Sequence, residues 1–301
     1  MAKNDDTKDK LTSSERTDRR RKRFEAPVKL QRARLLDDEF LRCYLRGQKT
    51  LAEQILRIIM NRSSLVITSM ETQADMKRLL GARSICLDVY ALDENDTRYD
   101  IEVQRAPSGA NPRRARYHAS VMDIENLDAR QDFEELPETY TIFITESDVF
   151  GYGKARYLIE RMNRTTGNPF NDGTHILYVN AQYRDDSDIG KLMHDFCCSD
   201  PDEMYFPTLA ERARYLKHTG KGENEMSQWF DEMLEEERQE AREEGLNMGR
   251  AEGRAEGREE GRMIVLNAIQ KVMDNLKLTV EDALDFMDIQ AEDRPYYRSR
   301  F

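Results

Sequence analysis

The sequence has little of what several common protein classes require. Its 301 residues include one tryptophan, four cysteines and four histidines, and no apolar run approaches the roughly 18 residues of a membrane span. The cysteines show no CxxC spacing and the histidines no HxxxH pair, so the ligand patterns of a structural zinc site are missing. The first residues, MAKNDDTKDK, lack the apolar segment of an export signal. We therefore expect an intracellular, cytoplasmic protein without a membrane span.

Charged residues are abundant instead, and they are unevenly distributed. There are 47 Lys and Arg against 58 Asp and Glu, a formal net charge of −11. Residues 1–34 nevertheless carry 12 basic and 6 acidic side chains, including five consecutive cations at 19–23, whereas residues 231–262 carry 6 and 12. A basic arm adds salt-sensitive affinity for nucleic acid, although nuclear import or solubility would produce the same letters. The acidic total therefore does not exclude DNA as a partner.

Composition and apolar spacing divide the chain into five segments. The first is too polar to bury a core, which predicts a flexible arm. The second alternates helical and strand-like patterns in the order helix, three strands, helix, strand, which predicts a mixed α/β core. The segments are the arm at 1–34, the core at 35–182, a helical extension at 183–230, a charged helix at 231–262 and a small helical appendage at 263–301.

Glycine recurs at every fourth position of the charged helix, from Gly245 to Gly261. Each glycine inside a helix costs about 0.8 to 1 kcal/mol relative to alanine, so an isolated helix here is penalised. In residues 253–260 the Arg and Glu stripes lie on nearly opposite sides, which would bring Arg against Glu between two copies. We predict self-association through residues 231–262; a solvated single helix or disorder is the alternative.

A carboxylate in the middle of an apolar strand is the most unusual feature of the core. Asp88 is costly to bury unless it is paired, hydrogen-bonded or bound to a metal. Turn-forming residues 93–96 predict a hairpin whose second strand carries Glu102 and Gln104 on one face. Asp88 and Glu102 would then suit a hard cation such as Mg²⁺, with Gln104 orienting the attacking water. Alternatively, the three side chains line a solvated face of the sheet.

Arginines collect just after this hairpin. Arginine matches phosphate geometry with two hydrogen bonds, so the cluster could anchor a nucleic-acid backbone beside the carboxylates. Ordinary ion pairs on a helix surface are the alternative. The candidate phosphate contacts in the loop and the following helix are Arg105, Arg113, Arg116 and Tyr117, with Arg114 among them in sequence.

These elements resemble the PD-(D/E)XK nuclease superfamily, and more closely its transposase-like branch, a bacterial family of recombination-promoting nucleases. The resemblance covers most of residues 35–262, including LLDDEFLRCYL, ARSICLDVYALDENDTRYDIEVQRA, RRARYHASVMD, ELPETYTIFITESDVFGYG and DPDEMYFPTLAERARYLK. It implies a restriction-endonuclease-like α/β core with a helical C-terminal extension. It also implies an endonuclease that uses Mg²⁺, or Mn²⁺ in its place, to hydrolyse DNA phosphodiester bonds. Recombination or transposition at the bacterial nucleoid would be its setting.

The resemblance further implies roles for individual residues. Asp88 and Glu102 would bind the metal, with the backbone carbonyl of Val103 as a further ligand. Glu53, on the helix before the first strand, is where the superfamily sometimes has another ligand. Gln104 stands in place of the superfamily's lysine, and a neutral amide stabilises developing negative charge less well than an ammonium. The alternative function is therefore a nuclease fold that has lost catalysis and serves as a DNA-binding or protein-interaction module.

Overall fold

A computed structural model describes residues 30–76 and 85–301. Most of the predicted arm, including the cations at 19–23, lies outside the described residues. Residues 30–34, which the sequence placed in the arm, belong to the folded part, since Leu30 and Ala33 are buried. The chain divides into two compact units, Met1–Asp231 and Glu232–Phe301.

The first unit is built on a mixed six-stranded sheet in the order β1-β2-β3-β4-β6-β5. Its strands are β1 (Ile67–Met76), β2 (Ile85–Asp93), β3 (Arg98–Gln104), β4 (Thr139–Thr145), β5 (Arg156–Ile159) and β6 (Thr174–Asn180). β1 to β3 are antiparallel, β3, β4 and β6 are parallel, and β5 pairs antiparallel with β6 at the edge. The predicted α/β core and its hairpin are confirmed; β5 was not predicted.

Helices cover the sheet and continue beyond it. They are α1 (Asp38–Leu45), α2 (Lys49–Met60), α3 (Pro112–Asn126), α4 (Asp188–Cys197), α5 (Pro207–His218), α6 (Gly220–Leu276), α7 (Val280–Phe286) and α8 (Arg294–Arg298). α1 and α2 pack against β1, and α1 also reaches β2 and β3, while α3 packs against β4 and β6. Every residue of β4 is buried, as expected for a central strand covered on both faces.

Helix α3 begins where the sequence provides both a cap and a proline. The side chain of Asn111 accepts hydrogen bonds from the backbone N–H groups of Arg113 and Arg114, and Pro112 occupies the first turn. This start fixes which side chains of α3 face the sheet. Ala115 and His118 are buried toward it.

The second unit contains most of α6 together with α7 and α8. The described part of this helix includes all five regularly spaced glycines, and a Cβ built on any of them meets nothing within 4 Å. Ile269, Ala283, Leu284 and Tyr297 form a small core of their own. Within the two described ranges, no helix combines the length and the apolar character that a membrane span needs.

Candidate functional site

The ladder between β2 and β3 stops at two carboxylates. The backbone pairing of β2 with β3 ends at Val89 and Ile101. Beyond this pair, two backbone N–H groups donate hydrogen bonds to side chains of the opposite strand. Asp88 N–H donates to Glu102 Oε1 at 3.0 Å, and Val103 N–H donates to Asp88 Oδ2 at 3.2 Å. Asp88 and Glu102 are 2% and 1% exposed. The hairpin thus brings the two predicted acidic residues together, each accepting a backbone hydrogen bond from the opposite strand.

Each of these carboxylates meets an arginine from a different helix. Arg42 of α1 donates from Nε to Asp88 Oδ1 at 2.8 Å, and its Nη2 contacts the same oxygen. Arg114 of α3 donates from Nη2 to Glu102 Oε2 at 3.1 Å. The Arg42 side chain is 13% exposed and that of Arg114 40% exposed. Solvent therefore reaches the site along Arg114 more than along Arg42.

A third carboxylate and a histidine complete the buried site. Asp100 Oδ2 lies 3.1 Å from His118 Nδ1, while Asp100 Oδ1 is buried without a hydrogen-bond partner among the described residues. Asp100, Glu102 and His118, the carboxylate–histidine group, each offer a ligand atom, and these atoms lie within 4.8 Å of one another. Sequence reasoning missed Asp100, although its spacing from Glu102 places both on one face of β3. It missed His118 because that contact depends on how α3 packs.

Burial and mutual repulsion raise the pKa of both Asp100 and Glu102. For each carboxyl the loss of hydration is the main cause, and the negative charge of Asp88 adds to it. When ionised, the three acidic residues bring three negative charges, against the two positive charges of Arg42 and Arg114. Such a deficit favours an additional cation. Carboxylate oxygens suit Mg²⁺ or Mn²⁺, and the imidazole nitrogen is a donor that suits a transition metal better than Mg²⁺.

Gln104 lies beside Glu102, as strand alternation predicts. Its Nε2 is 3.5 Å from Glu102 Oε2, and its Oε1 is 3.5 Å from Arg114 Nη1, both at the long end of hydrogen-bond distances. A Cβ at Gly109 would stand 2.0 Å from Gln104 Oε1. Glycine at that position therefore leaves the space that the amide occupies.

Glu53 contacts its own helix, α2, and the first residue of β1. Its Oε2 accepts a hydrogen bond from Ile67 N–H at 2.8 Å, and its Oε1 pairs with Arg57 at 2.8 Å. These contacts tie α2 to the start of β1. Glu53 is not a member of the carboxylate–histidine group.

The predicted phosphate contacts differ in how their charge is balanced. Arg105 pairs with Asp37 at 2.8 Å and with Glu146 at 3.2 Å, and these carboxylates raise the pKa of its guanidinium. Its charge is therefore largely compensated within the fold. The rest of the cluster lies on α3 as exposed Arg113, exposed Arg116 and half-buried Tyr117.

A family comparison covers most of this site, although Arg42 of α1 precedes the matched residues. Residues 48–189 match the family model described as PD-(D/E)XK nuclease family transposase. The matched segment is similar to that family. It runs from the turn before α2 to the start of α4 and contains all six strands. Comparisons with curated proteins and with solved structures found no significant match.

The match to this family indicates a nuclease-like function for the segment. The sequence Glu102-Val103-Gln104 compares with the (D/E)XK of the family name, except that its last residue is glutamine and not lysine. β2 carries Asp88 and Asp93, and Asp88 is the one that lies beside Glu102.

Proposed function

We propose that the chain is a divalent-metal-dependent endonuclease that hydrolyses phosphodiester bonds of DNA. One observation carries the proposal, the convergence of Asp88, Asp100 and Glu102 at the open end of the β2–β3 ladder in a PD-(D/E)XK family segment. Burying three carboxylates against two guanidiniums is unfavourable unless another cation joins them. A nuclease that holds its metal through these residues accounts for their retention in the core.

Glu102 and Asp88 would hold the cation, together with the backbone carbonyl of Val103. Val103 N–H points toward β2, where it meets Asp88, and the carbonyl of a strand residue points to the same side as its N–H. These are oxygen donors, which suit Mg²⁺ with Mn²⁺ as a substitute. When bound, the cation would polarise the phosphate and lower the pKa of a coordinated water. Asp100 and His118 lie beside Glu102, with His118 Nδ1 4.0 Å from Glu102 Oε1.

Hydrolysis consumes one water molecule for each bond that is cut. The water oxygen bonds to phosphorus, one bridging P–O bond breaks, and a phosphate monoester and a hydroxyl result. The Gln104 amide beside Glu102 can orient this water because it both donates and accepts hydrogen bonds. The exposed Arg113 and Arg116 would hold the DNA backbone through phosphate contacts.

The biological setting extends the same proposal. The family description names transposases, which supports a role in recombination or transposition, and a DNA partner would place the chain at the nucleoid. Self-association through residues 231–262 is supported by the glycine spacing of α6. Each of these extensions is separate from the chemistry of the site.

Nicking of supercoiled plasmid in Mg²⁺ or Mn²⁺ tests the proposal. Glu102→Gln keeps an acceptor for Asp88 N–H and removes the charge, so we expect cleavage to fall by about 10²-fold or more. A chelator should abolish cleavage by the native chain. The matched control is Glu134→Gln, at an exposed carboxylate between α3 and β4, which should cleave at the native rate.

Two results would contradict this proposal. Unchanged cleavage by Glu102→Gln would show that the charge of this carboxylate is not needed for the reaction. A native chain that binds DNA in the presence of either metal and never nicks it would favour the alternative, a binding module on a nuclease fold.

A further inference from the structure

We propose that Arg114 is a catalytic residue that supplies the positive charge missing at position 104. The inference rests on the proposed hydrolysis of DNA and adds one residue to it. The family motif ends in lysine, whereas β3 ends in Gln104. A neutral amide leaves the negative charge that develops on the phosphate without a cation from this strand.

The Arg114 guanidinium reaches the place where β3 lacks that charge. Its Nη2 lies 3.1 Å from Glu102 Oε2 and its Nη1 lies 3.5 Å from Gln104 Oε1. One planar group thus spans both side chains of the motif. The positive charge enters the site from α3 instead of from β3.

A buried pair behind Arg114 orients its side chain. Arg114 Nε donates to His118 Nε2 at 3.3 Å. Because a guanidinium N–H can only donate, Nε2 accepts, and the proton of a neutral imidazole is left at Nδ1, which faces Asp100 Oδ2 at 3.1 Å. The His118 and Asp100 side chains are 2% and 0% exposed, so the surrounding packing fixes them. Both are positioning residues for Arg114.

Arg114 is also the arginine of this site that a DNA strand can reach. Its side chain is 40% exposed, whereas that of Arg42 is 13% exposed and is held by Asp88. Contacts with Glu102, Gln104 and His118 engage three of its five N–H donors within the described residues, which leaves two for a phosphate. A guanidinium offers paired donors that match two phosphate oxygens.

The chemistry required of Arg114 is electrostatic. As the water oxygen bonds to phosphorus, negative charge grows on the phosphate oxygens, and a fixed cation stabilises that state more than the ground state. We therefore expect Arg114→Gln to lower the single-turnover cleavage rate by about 10²-fold. Its DNA affinity, measured in chelator, should change by less than about tenfold, since one phosphate contact among several is lost.

A rescue experiment separates this role from a structural one. In the Arg114→Gln background, Gln104→Lys returns a cation to β3, and we expect it to raise the cleavage rate at least tenfold. A residue that merely supports the fold would not be replaced in this way, because a lysine on β3 restores no contact with His118. The charge-matched control is Arg130→Gln, at an exposed site between α3 and β4, which should leave the rate unchanged.

Cleavage by Arg114→Gln within threefold of the native rate would overturn the proposal, as would failure of Gln104→Lys to raise it. If Arg114→Gln melts below the assay temperature, Arg114→Lys is measured in its place. Substantial activity of Arg114→Lys supports the role of charge, and a loss of activity as large as that of Glu102→Gln overturns it. A native chain that does not cleave contradicts the proposed function and this inference together. A cleaving native chain with inactive Glu102→Gln and fully active Arg114→Gln contradicts the role of Arg114 alone.

Discussion

At the scale of single residues, the buried charge of Asp100 lowers the stability of the fold. One of its oxygens faces His118, the other is buried without a partner among the described residues, and the negative charge of Asp88 lies nearby. Burial raises the pKa of Asp100 well above its ordinary value. The folded chain therefore holds a proton on this carboxyl more readily than the unfolded chain does.

Asp100→Asn should stabilise the metal-free protein near neutral pH. Removing a buried charge should raise the free energy of unfolding by about 1 to 3 kcal/mol. The gain is greatest above the raised pKa and shrinks as the pH falls through it, because the native carboxyl then takes up a proton in the folded state. Urea unfolding in chelator, from about pH 8 down to about pH 5, measures the difference. Asp186→Asn, at an exposed carboxylate, should show no such change; a less stable Asp100→Asn protein would contradict the assignment.

The residues that could be predicted from the sequence are those that one hairpin brings together. Strand alternation and the turn at 93–96 were sufficient to place Asp88 near Glu102. The roles of Arg42 and His118 could not be predicted, because their contacts depend on how α1 and α3 pack against the sheet. Helical periodicity shows which face of a helix is buried, but it does not show which side chain that face meets.

At the scale of elements, strands differ in how strongly their sequence signals them. β4 and β6 contain the apolar runs YTIFIT (140–145) and HILYVN (175–180), and each run predicts a strand from the sequence. β5 has four residues, pairs only with β6 at the edge and is half exposed, so it lacks the alternation that identifies a strand. Parallel pairing of β3 with β4 and of β4 with β6 also needs the tertiary fold, since the partners are distant in sequence.

The glycines of α6 allow a direct test of self-association. Gly249, Gly253 and Gly257 pack against nothing within the described chain, so alanine fits at each. Helix propensity alone predicts about 2 to 3 kcal/mol of added helix stability for the three alanines. If the glycines line a close contact between two copies, we expect the triple variant to show a lower mass by sedimentation velocity despite this gain. Gln239→Ala serves as the control on the same helix. An unchanged mass with a higher melting temperature would contradict self-association through these glycines.

At the scale of the whole molecule, the net charge of −11 and the affinity for DNA that we propose have to be reconciled. The basic residues at 19–23 are sequence neighbours, so their counterion effect is local even though the chain is acidic overall. The acidic excess of residues 231–262 belongs to a segment for which no DNA contact is proposed.

Replacing the five cations at 19–23 with glutamine should weaken DNA binding and flatten its salt dependence. Counterion release predicts that the slope of log K against log salt falls in magnitude by up to about 4.5. Fluorescence anisotropy with a labelled duplex, across a range of salt, measures this slope. Arg254→Gln with Arg258→Gln provides a control that removes cations from α6. A slope unchanged by the five substitutions would exclude the arm from binding.

The open end of the β2–β3 ladder bears on how this chain can diverge. Asp88 and Glu102 each accept a backbone N–H that has no strand partner, so replacing either carboxylate costs the fold a backbone hydrogen bond as well as a metal ligand. A descendant that no longer cuts DNA would still carry them. Within the described residues, the Arg114 side chain donates to side chains and to no backbone group, so it is freer to change. Among diverging copies, loss of Arg114 would mark the end of cleavage earlier than loss of either carboxylate.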